Sequence, residues 1–289
     1  MPLIAKLWIW YPLTAAALVL WGGLATSDPA LRLGRFVLLH LGLALLAALL
    51  GRCCPGSRVV WSAFTAIGLP AVFSAVGWVL PMVHPEPYEW CWIAWDRWLV
   101  GDDPIPMLHR TLWPLFTEVL HVCYVGFYLV PVAALLGIAA RRDGRNFDAA
   151  LVAVAFGFQT SYLGYLLWPT LGPNRLGLWE QPYEGLALTE PVRAFIAVAE
   201  ANHWDCFPSG HTMLSLLSLW LAWRHARGVF WALLPCVLLI VYATVALCYH
   251  YVSDVLAGAG GCGLALLGAR WLQRCTPVAS RIVPPAASV

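Results

Sequence analysis

Long apolar runs recur along the whole chain, and most are close to the length that crosses a bilayer. About 20 apolar residues span the hydrocarbon core as a helix. By this measure the sequence predicts eight transmembrane helices and an all-α, polytopic membrane helix bundle. The predicted spans are Leu7–Ala25, Phe36–Leu50, Val59–Val83, Leu112–Ala140, Phe147–Trp168, Cys206–Trp223, Val229–Tyr249 and Val252–Leu272.

The balance of apolar and charged residues supports lipid as the solvent for much of this surface. Of 289 residues, 61% are hydrophobic and 11% are charged, whereas a soluble domain carries about 25% charged residues. No basic run is present that would follow a phosphate backbone, so we expect no nucleic-acid partner. No Cys-x-x-Cys pair occurs among the nine cysteines, and a disulfide among Cys91, Cys206 and Cys248 remains open.

Loop charge predicts the orientation of the bundle. If the N-terminus is cytoplasmic, most of the 17 Lys and Arg residues fall in the inside segments, as the positive-inside rule requires. An even number of spans then places both termini in the cytoplasm. We divide the chain into N-terminal helices (1–83), an extracytoplasmic interfacial segment (84–111), a helical core (112–272) and a cytoplasmic tail (273–289).

The segment His84–Thr111 combines many aromatic residues with acidic ones, including Trp90, Trp95 and Asp96. Trp and Tyr favour the headgroup region, so the composition predicts a helix lying at the membrane surface. An ordinary aromatic belt remains the alternative.

Three short polar segments map to the outer side of this topology. They are Pro169–Arg175, Cys206–Thr212 and Tyr249–Asp254, which come from three different helix ends. We therefore expect them to meet in one layer. The connection Pro169–Asp205 is long for a compact bundle, which is typical of a functional loop.

The run Pro208-Ser-Gly-His211 suits an anion site. Ser209 is a good helix cap, and Gly210 lets the backbone approach a ligand closely. A helix N-terminus attracts anions, and His211 in its first turn adds a proton donor. An ordinary capped helix with an interfacial histidine is the alternative.

His250 and Asp254 share a helical face because they are four residues apart. The carboxylate can accept the proton of one ring nitrogen and leave the other as a nucleophile. Arg175, in a turn-forming run, can bind a phosphate. A structural ion pair and a headgroup anchor are the alternatives. No further acidic cluster accompanies the histidines, so we expect no metal.

The predicted fourth span carries Glu118, His121 and Tyr128 on one face. This spacing favours a pocket for a headgroup or an acceptor. Hydrogen bonding between helices explains the same pattern.

Together these residues resemble the type 2 phosphatidic acid phosphatase superfamily, which includes lipid phosphate phosphatases. Its motifs read Lys-x6-Arg-Pro, Pro-Ser-Gly-His and Ser-Arg-x5-His-x3-Asp. The second matches Pro208–His211, and the third matches at His250 and Asp254. The resemblance covers roughly Phe147 to Leu272.

The resemblance implies a role for each matching residue. His250 is expected to form a phosphohistidine, with Asp254 orienting it. His211 is expected to protonate the leaving oxygen and later to help activate the acceptor. Ser209 and the Gly210 amide are expected to bind phosphate oxygens. The family scheme needs no metal or other cofactor.

The first and third motifs both depart from the family pattern, and Leu176 and Ala243 replace the proline of the first and the serine of the third. Arg175 matches the arginine of the first motif, but Trp168 stands where its lysine is expected. Thr244 stands at the third motif's arginine and is the expected phosphate ligand there. This threonine and the His-Tyr-x-x-Asp run resemble the inositol phosphorylceramide synthase group, which transfers a phosphoryl headgroup to a lipid alcohol.

The sequence thus predicts an integral membrane phosphatase or phosphotransferase whose site faces the extracytoplasmic side. Its expected partners are a lipid phosphate or phospholipid, membrane lipids and, for a transferase, a lipid alcohol acceptor. A transporter that relays protons and a catalytically inactive scaffold are the two other classes.

Overall fold

A computed structural model describes residues 1–23, 30–83, 88–179, 184–200 and 202–275 of the protein. Within these ranges the regular secondary structure is helical, apart from one isolated parallel bridge between Thr170 and Asp205. The all-α architecture is therefore confirmed. Most of the predicted tail, from residue 276 onward, lies outside the described residues, as do residues 24–25 at the end of the first predicted span.

Twelve α-helices lie in the described ranges. They are α1 (Leu3–Gly23), α2 (Ala30–Cys53), α3 (Arg58–Val83), α4 (Glu89–Val100), α5 (Pro104–His109), α6 (Pro114–Gly126), α7 (Val130–Ala139), α8 (Gly144–Leu167), α9 (Thr189–Ala199), α10 (Gly210–His225), α11 (Arg227–Ala246) and α12 (Val252–Cys275).

Seven helical stretches of the described chain are long and apolar enough to cross a membrane. Among them, α6 and α7 count as one span, Pro114–Ala139, joined by the 3₁₀ turn Phe127–Leu129. Pro131, the second residue of α7, lacks an amide hydrogen, which suits this break in the helical hydrogen bonding. The seven stretches match seven of the eight predicted spans, as expected for an integral multi-pass membrane protein.

The remaining predicted span, Cys206–Trp223, forms α10 with different bounds. The helix has 16 residues and starts at Gly210, so it is only about 24 Å long. Cys206–Ser209 precede it as a loop instead of helix. The helix therefore begins later in the chain than hydropathy predicts, and the loop before it can contribute residues to a site.

Helix α10 occupies the centre of the C-terminal half, packed against α7, α8, α11 and α12. Its side chains Met213, Leu214 and Leu217 are almost fully buried. A second apolar cluster joins α1, α2 and α3 to α8, around Trp8 and Phe36. Helix α8 contacts both clusters, so it links the N-terminal helices to the half of the bundle that contains α10.

The described part of the predicted surface segment forms helices α4 and α5, with Trp90, Trp95 and Trp98 of α4 exposed, and residues 84–87 lie outside the described residues. Its position at a membrane surface stays a prediction. The opposite face holds Asp96, which is 2% exposed and accepts hydrogen bonds from the backbone N–H groups of Val252 and Ser253. An acidic side chain here satisfies two unpaired amides at the start of α12.

Candidate active site

The three polar segments meet around one cavity of about 360 Å³. Its lining includes Arg175 from the first segment, Cys206 and His211 from the second, and Tyr249 and His250 from the third. These groups come from different loops and helix ends. The cavity therefore brings together a cation, a thiol and two imidazoles at one end of the spanning helices.

His250 lies in the turn between α11 and α12, where its backbone N–H donates to the carbonyl of Thr244. Its Nδ1 is 3.1 Å from Asp254 Oδ2 and 3.1 Å from the carbonyl oxygen of Cys206. Both neighbours are acceptors, so Nδ1 carries a proton, and in the neutral ring Nε2 keeps its lone pair. This is the tautomer that a nucleophilic histidine needs.

The electrostatic surroundings of His250 favour its protonated form. Burial alone lowers the pKa of a histidine, because it penalises the charged ring. Here the Asp254 carboxylate, the hydrogen bond to it and the nearby Asp205 and Glu200 outweigh burial, and they raise the pKa of His250 above its ordinary value.

Cys206 contributes its thiol to the same group. Its Sγ donates to Asp254 Oδ2 at 2.7 Å and lies 3.6 Å from His250 Nδ1. Cys91, Cys206 and Cys248 are all free thiols, so the disulfide left open among them is not formed. Sequence reasoning did not connect Cys206 with Asp254, because 48 residues separate them.

His211 occupies the first turn of α10, as the capping motif predicts. The Ser209 side chain accepts a hydrogen bond from the Thr212 amide at 3.2 Å and so caps the helix. The Ser209 amide donates to the Asp254 carbonyl at 3.1 Å, which joins the Pro-Ser-Gly-His run to α12. The rings of His211 and His250 lie 5.7 Å apart between centroids.

Glu200 pairs with His211 and is the main site residue that sequence reasoning missed. Its Oε1 lies 3.3 Å from His211 Nε2. The hydroxyls of Tyr124 and Tyr128 donate to this carboxylate at 3.2 and 3.1 Å. Burial opposes its ionisation, but His211, His250 and the Tyr128 hydroxyl together lower the pKa of Glu200. The carboxylate can therefore stabilise a protonated His211.

The face formed by Glu118, His121 and Tyr128 is placed beside the cavity rather than in its described lining. Glu118 Oε2 accepts the backbone N–H groups of Leu186 and Leu188, both at 2.9 Å, at the start of α9. His121 is buried, with Nδ1 2.9 Å from its own helix's Thr117 carbonyl. These contacts match the alternative of hydrogen bonding between structural elements, and a headgroup role stays a prediction.

Two arginines line the cavity. Arg175 ends the 3₁₀ turn Pro173–Arg175, and Arg193 comes from α9. Arg193 also pairs with Glu190 at 2.8 Å. Sequence reasoning did not select Arg193, because nothing in its spacing relates it to the two histidines.

The residues at the two expected cation positions, Trp168 and Thr244, are not part of the described lining of the cavity. Trp168 packs edge-on against Phe207. Thr244 is fully buried, and its hydroxyl donates to the Val241 carbonyl at 2.6 Å. Its carbonyl accepts the backbone N–H groups of Tyr249 and His250, so the observed contacts of Thr244 shape the turn. Its role as a phosphate ligand stays a prediction.

Fold and site together define an integral, multi-pass membrane protein with a paired-histidine cavity. The sequence profile of the PAP2 superfamily matches residues 92–268. This match covers more than half of the chain and contains the complete site, and the protein belongs to the PAP2 superfamily. Membership supports an activity of the phosphatase or phosphotransferase type. Comparison with curated proteins and with solved structures gives no match.

The family match begins in α4, well before the Phe147 boundary expected from the motifs alone. The additional part contains Asp96, which caps α12, and Tyr124, which contacts Glu200. Helices α1–α3 lie outside the match.

Proposed function

We propose that the protein is a membrane-embedded phosphatase or phosphotransferase that acts on lipid phosphate esters through a phosphohistidine. The observation that carries this proposal is the environment of His250. Two acceptors hold its Nδ1–H, the ring borders the cavity, and a second histidine lies next to it.

In the first step Nε2 of His250 attacks phosphorus, and the bond from phosphorus to the leaving oxygen breaks. A positive charge develops on the His250 ring, which Asp254 stabilises from the Nδ1 side. Protonated His211 gives its proton to the leaving oxygen. In the second step neutral His211 accepts a proton from water or an alcohol, which attacks phosphorus and releases His250.

Glu200 supports both roles of His211. A carboxylate 3.3 Å from Nε2 stabilises the imidazolium that protonates the leaving oxygen, and again the imidazolium that forms when the acceptor is deprotonated. Its two tyrosine hydrogen bonds keep the carboxylate in position.

The developing phosphoryl charge needs positive groups. Arg175, Arg193 and the amides at the start of α10 are the candidates that border the cavity. We propose that Arg193 serves in place of a cation that the family pattern expects at Trp168 or Thr244.

A lipid substrate and an extracytoplasmic site agree with the architecture. The cavity lies where α10 begins and where α11 passes into α12, so it opens at the ends of the spanning helices. Loop charge favours cytoplasmic termini, and with that orientation the cavity would face the opposite side of the membrane.

Transfer to a lipid alcohol is the second candidate, and the charge of the cavity favours it. Glu190 and Glu200 line the cavity beside the two arginines, whereas burial raises the pKa of Asp205 well above its ordinary value and favours its uncharged form. Extra carboxylates repel a doubly charged phosphate monoester more than a singly charged diester. A phosphodiester donor, whose headgroup passes to an alcohol, therefore suits this site better than its family motifs alone indicate.

The test uses purified protein in lipid nanodiscs, supplied with phosphatidic acid or a phospholipid, with and without a ceramide or diacylglycerol acceptor. We expect vanadate-sensitive release of phosphate or formation of a new phospholipid. His250→Ala should abolish turnover, whereas His225→Ala, at the far end of α10, should retain it. Turnover that persists in His250→Ala excludes the phosphohistidine mechanism, and absence of turnover on every substrate favours a transporter or scaffold.

A further inference from the structure

We propose that Cys206, His250 and Asp254 form an inhibitory binding site for a thiophilic divalent cation, with Zn²⁺ as the best-fitting ion. In the described chain these residues form a compact group in which one ligand atom from each lies within 4.8 Å of the others. Binding does not depend on the proposed function, but the inhibition does.

The three donor atoms are close to the spacing that a tetrahedral metal requires. Sγ and Oδ2 are 2.7 Å apart, Nδ1 and Oδ2 are 3.1 Å apart, and Sγ and Nδ1 are 3.6 Å apart. Bonds of roughly 2.0 to 2.3 Å to zinc place tetrahedral ligands about 3.3 to 3.5 Å from one another. Opening the short contact between Cys206 and Asp254 by less than about 1 Å completes the arrangement.

The chemistry of the donors selects the ion. Thiolate, imidazole and carboxylate form a mixed set that suits zinc, whereas Mg²⁺ and Ca²⁺ prefer oxygen ligands. Thiolate and carboxylate together carry two negative charges, which neutralise a divalent cation in this buried place. Asp254 and Cys206 are 0% and 3% exposed.

The cavity provides the route of entry, because Cys206 and His250 both border it. A water molecule that enters from the cavity would be the fourth ligand, as in zinc sites that keep one position open.

Occupancy would block the reaction by changing the tautomer of His250. A neutral imidazole carries a single N–H. Without a metal the proton is on Nδ1, and Nε2 is the nucleophile. A metal on Nδ1 moves that proton to Nε2, which then has no lone pair to attack phosphorus. Binding of Zn²⁺ to neutral His250 releases the thiol proton of Cys206 to solvent, and the single ring proton stays on His250.

Direct binding is measured by titrating the metal-free protein in detergent with Co²⁺, which reports thiolate ligation through a near-ultraviolet charge-transfer band. We expect the band in the wild type and its loss in Cys206→Ser. That variant keeps a hydroxyl donor for Asp254 and is expected to fold. Cys262→Ala, which alters a cysteine in the apolar core around α12, should keep the band.

Added Zn²⁺ should displace Co²⁺ from the wild type. Cys206→Ser should bind Zn²⁺ about 100-fold more weakly than the wild type, or more weakly still, because loss of outer-shell partners alone costs roughly 10–100-fold in affinity. Asp254→Asn should weaken zinc binding as well. A band that survives Cys206→Ser, or that disappears in Cys53→Ser/Cys54→Ser, assigns the thiolate elsewhere and overturns the proposal.

Activity gives an independent arm. Micromolar Zn²⁺ should inhibit wild-type turnover, a chelator should restore it, and the residual turnover of Cys206→Ser should be resistant. If turnover is found and Zn²⁺ binds to Cys206 without inhibiting it, bound metal does not move the proton of His250 to Nε2, and the inhibitory role is excluded. If Co²⁺ binds as expected but no substrate is turned over, the binding site stands and the proposed function fails.

Discussion

The carboxylate of Asp96 accepts a 2.7 Å hydrogen bond from the backbone N–H of Ser253, one residue before Asp254. Asp96→Ala removes this cap from the start of α12. We expect a loss of roughly 1–2 kcal/mol in the free energy of unfolding. Turnover should also fall, because the uncapped first turn of α12 contains Asp254, which pairs with His250. Thermal unfolding in detergent and steady-state kinetics measure the two effects.

The matched control for Asp96 is Asp148→Ala. Asp148 pairs with Arg58 at 2.7 Å, but about half of each side chain is exposed. An exposed ion pair contributes only about 0–1 kcal/mol. If both variants lose the same stability and activity, the cap has no special relation to the site.

Glu200→Gln tests the support of His211. We expect turnover to fall about 100-fold, within the range for general acid–base catalysis, with little change in KM. The loss should be smaller for a nitrophenyl phosphate than for an alkyl phosphate, because nitrophenolate leaves without full protonation. Glu184→Gln, an exposed residue in the same connection, should change neither. Equal losses on both substrates would contradict the role in leaving-group protonation.

The helices could be predicted from the sequence because hydropathy is a local property. Each span needs only its own apolar run, whereas the orientation that loop charge gives stays a prediction. The Ser209 cap and the His250–Asp254 pair could also be predicted from the sequence, since both depend on spacings of three or four residues. These local patterns carry most of the paired-histidine site.

The site residues that the sequence did not predict make contacts between distant parts of the chain, and no regular spacing in the sequence indicates such contacts. Glu200 approaches His211 from the end of α9, across a turn whose path no spacing rule gives. Asp96 meets Ser253 from 157 residues away. Hydropathy predicts a span that starts at Cys206, because Cys206 and Phe207 are apolar and extend the run. In the structure both residues belong to the loop before α10.

The pH dependence of turnover follows from the raised pKa of His250. With a nitrophenyl phosphate, whose leaving group needs no proton from His211, activity should rise as pH increases through a pKa above the ordinary value of about 6.5, because protonated His250 has no lone pair on Nε2. Asp254→Asn removes the charge that opposes burial. The pKa should then fall, so the acidic limb of the kcat/KM profile moves to lower pH, while the maximum rate drops. An unmoved limb, or one at higher pH, would contradict the assignment.

Arg193→Gln tests whether this arginine holds the phosphoryl group. A hydrogen bond to a charged group contributes about 1.5–3 kcal/mol, so vanadate should bind at least about tenfold more weakly. The comparison variant is Arg110→Gln, an exposed arginine that does not border the described cavity. Unchanged vanadate inhibition in Arg193→Gln would leave Arg175 and the α10 amides as the phosphate-binding groups.

Gly258 allows α12 to lie directly against the Pro-Ser-Gly-His run. A Cβ atom at this position would be 2.5 Å from the Ser209 carbonyl oxygen and 3.2 Å from Thr212 Cβ. Backbone cannot yield as a flexible side chain does, so Gly258→Ala should displace α10 from α12 and reduce turnover severely. Gly263→Ala lies on the same helix and meets nothing within 4 Å, so it should keep full activity and gain up to about 1 kcal/mol from helix propensity. The outcome that contradicts this close packing is equal activity in the two alanine variants, measured at the same amount of folded protein.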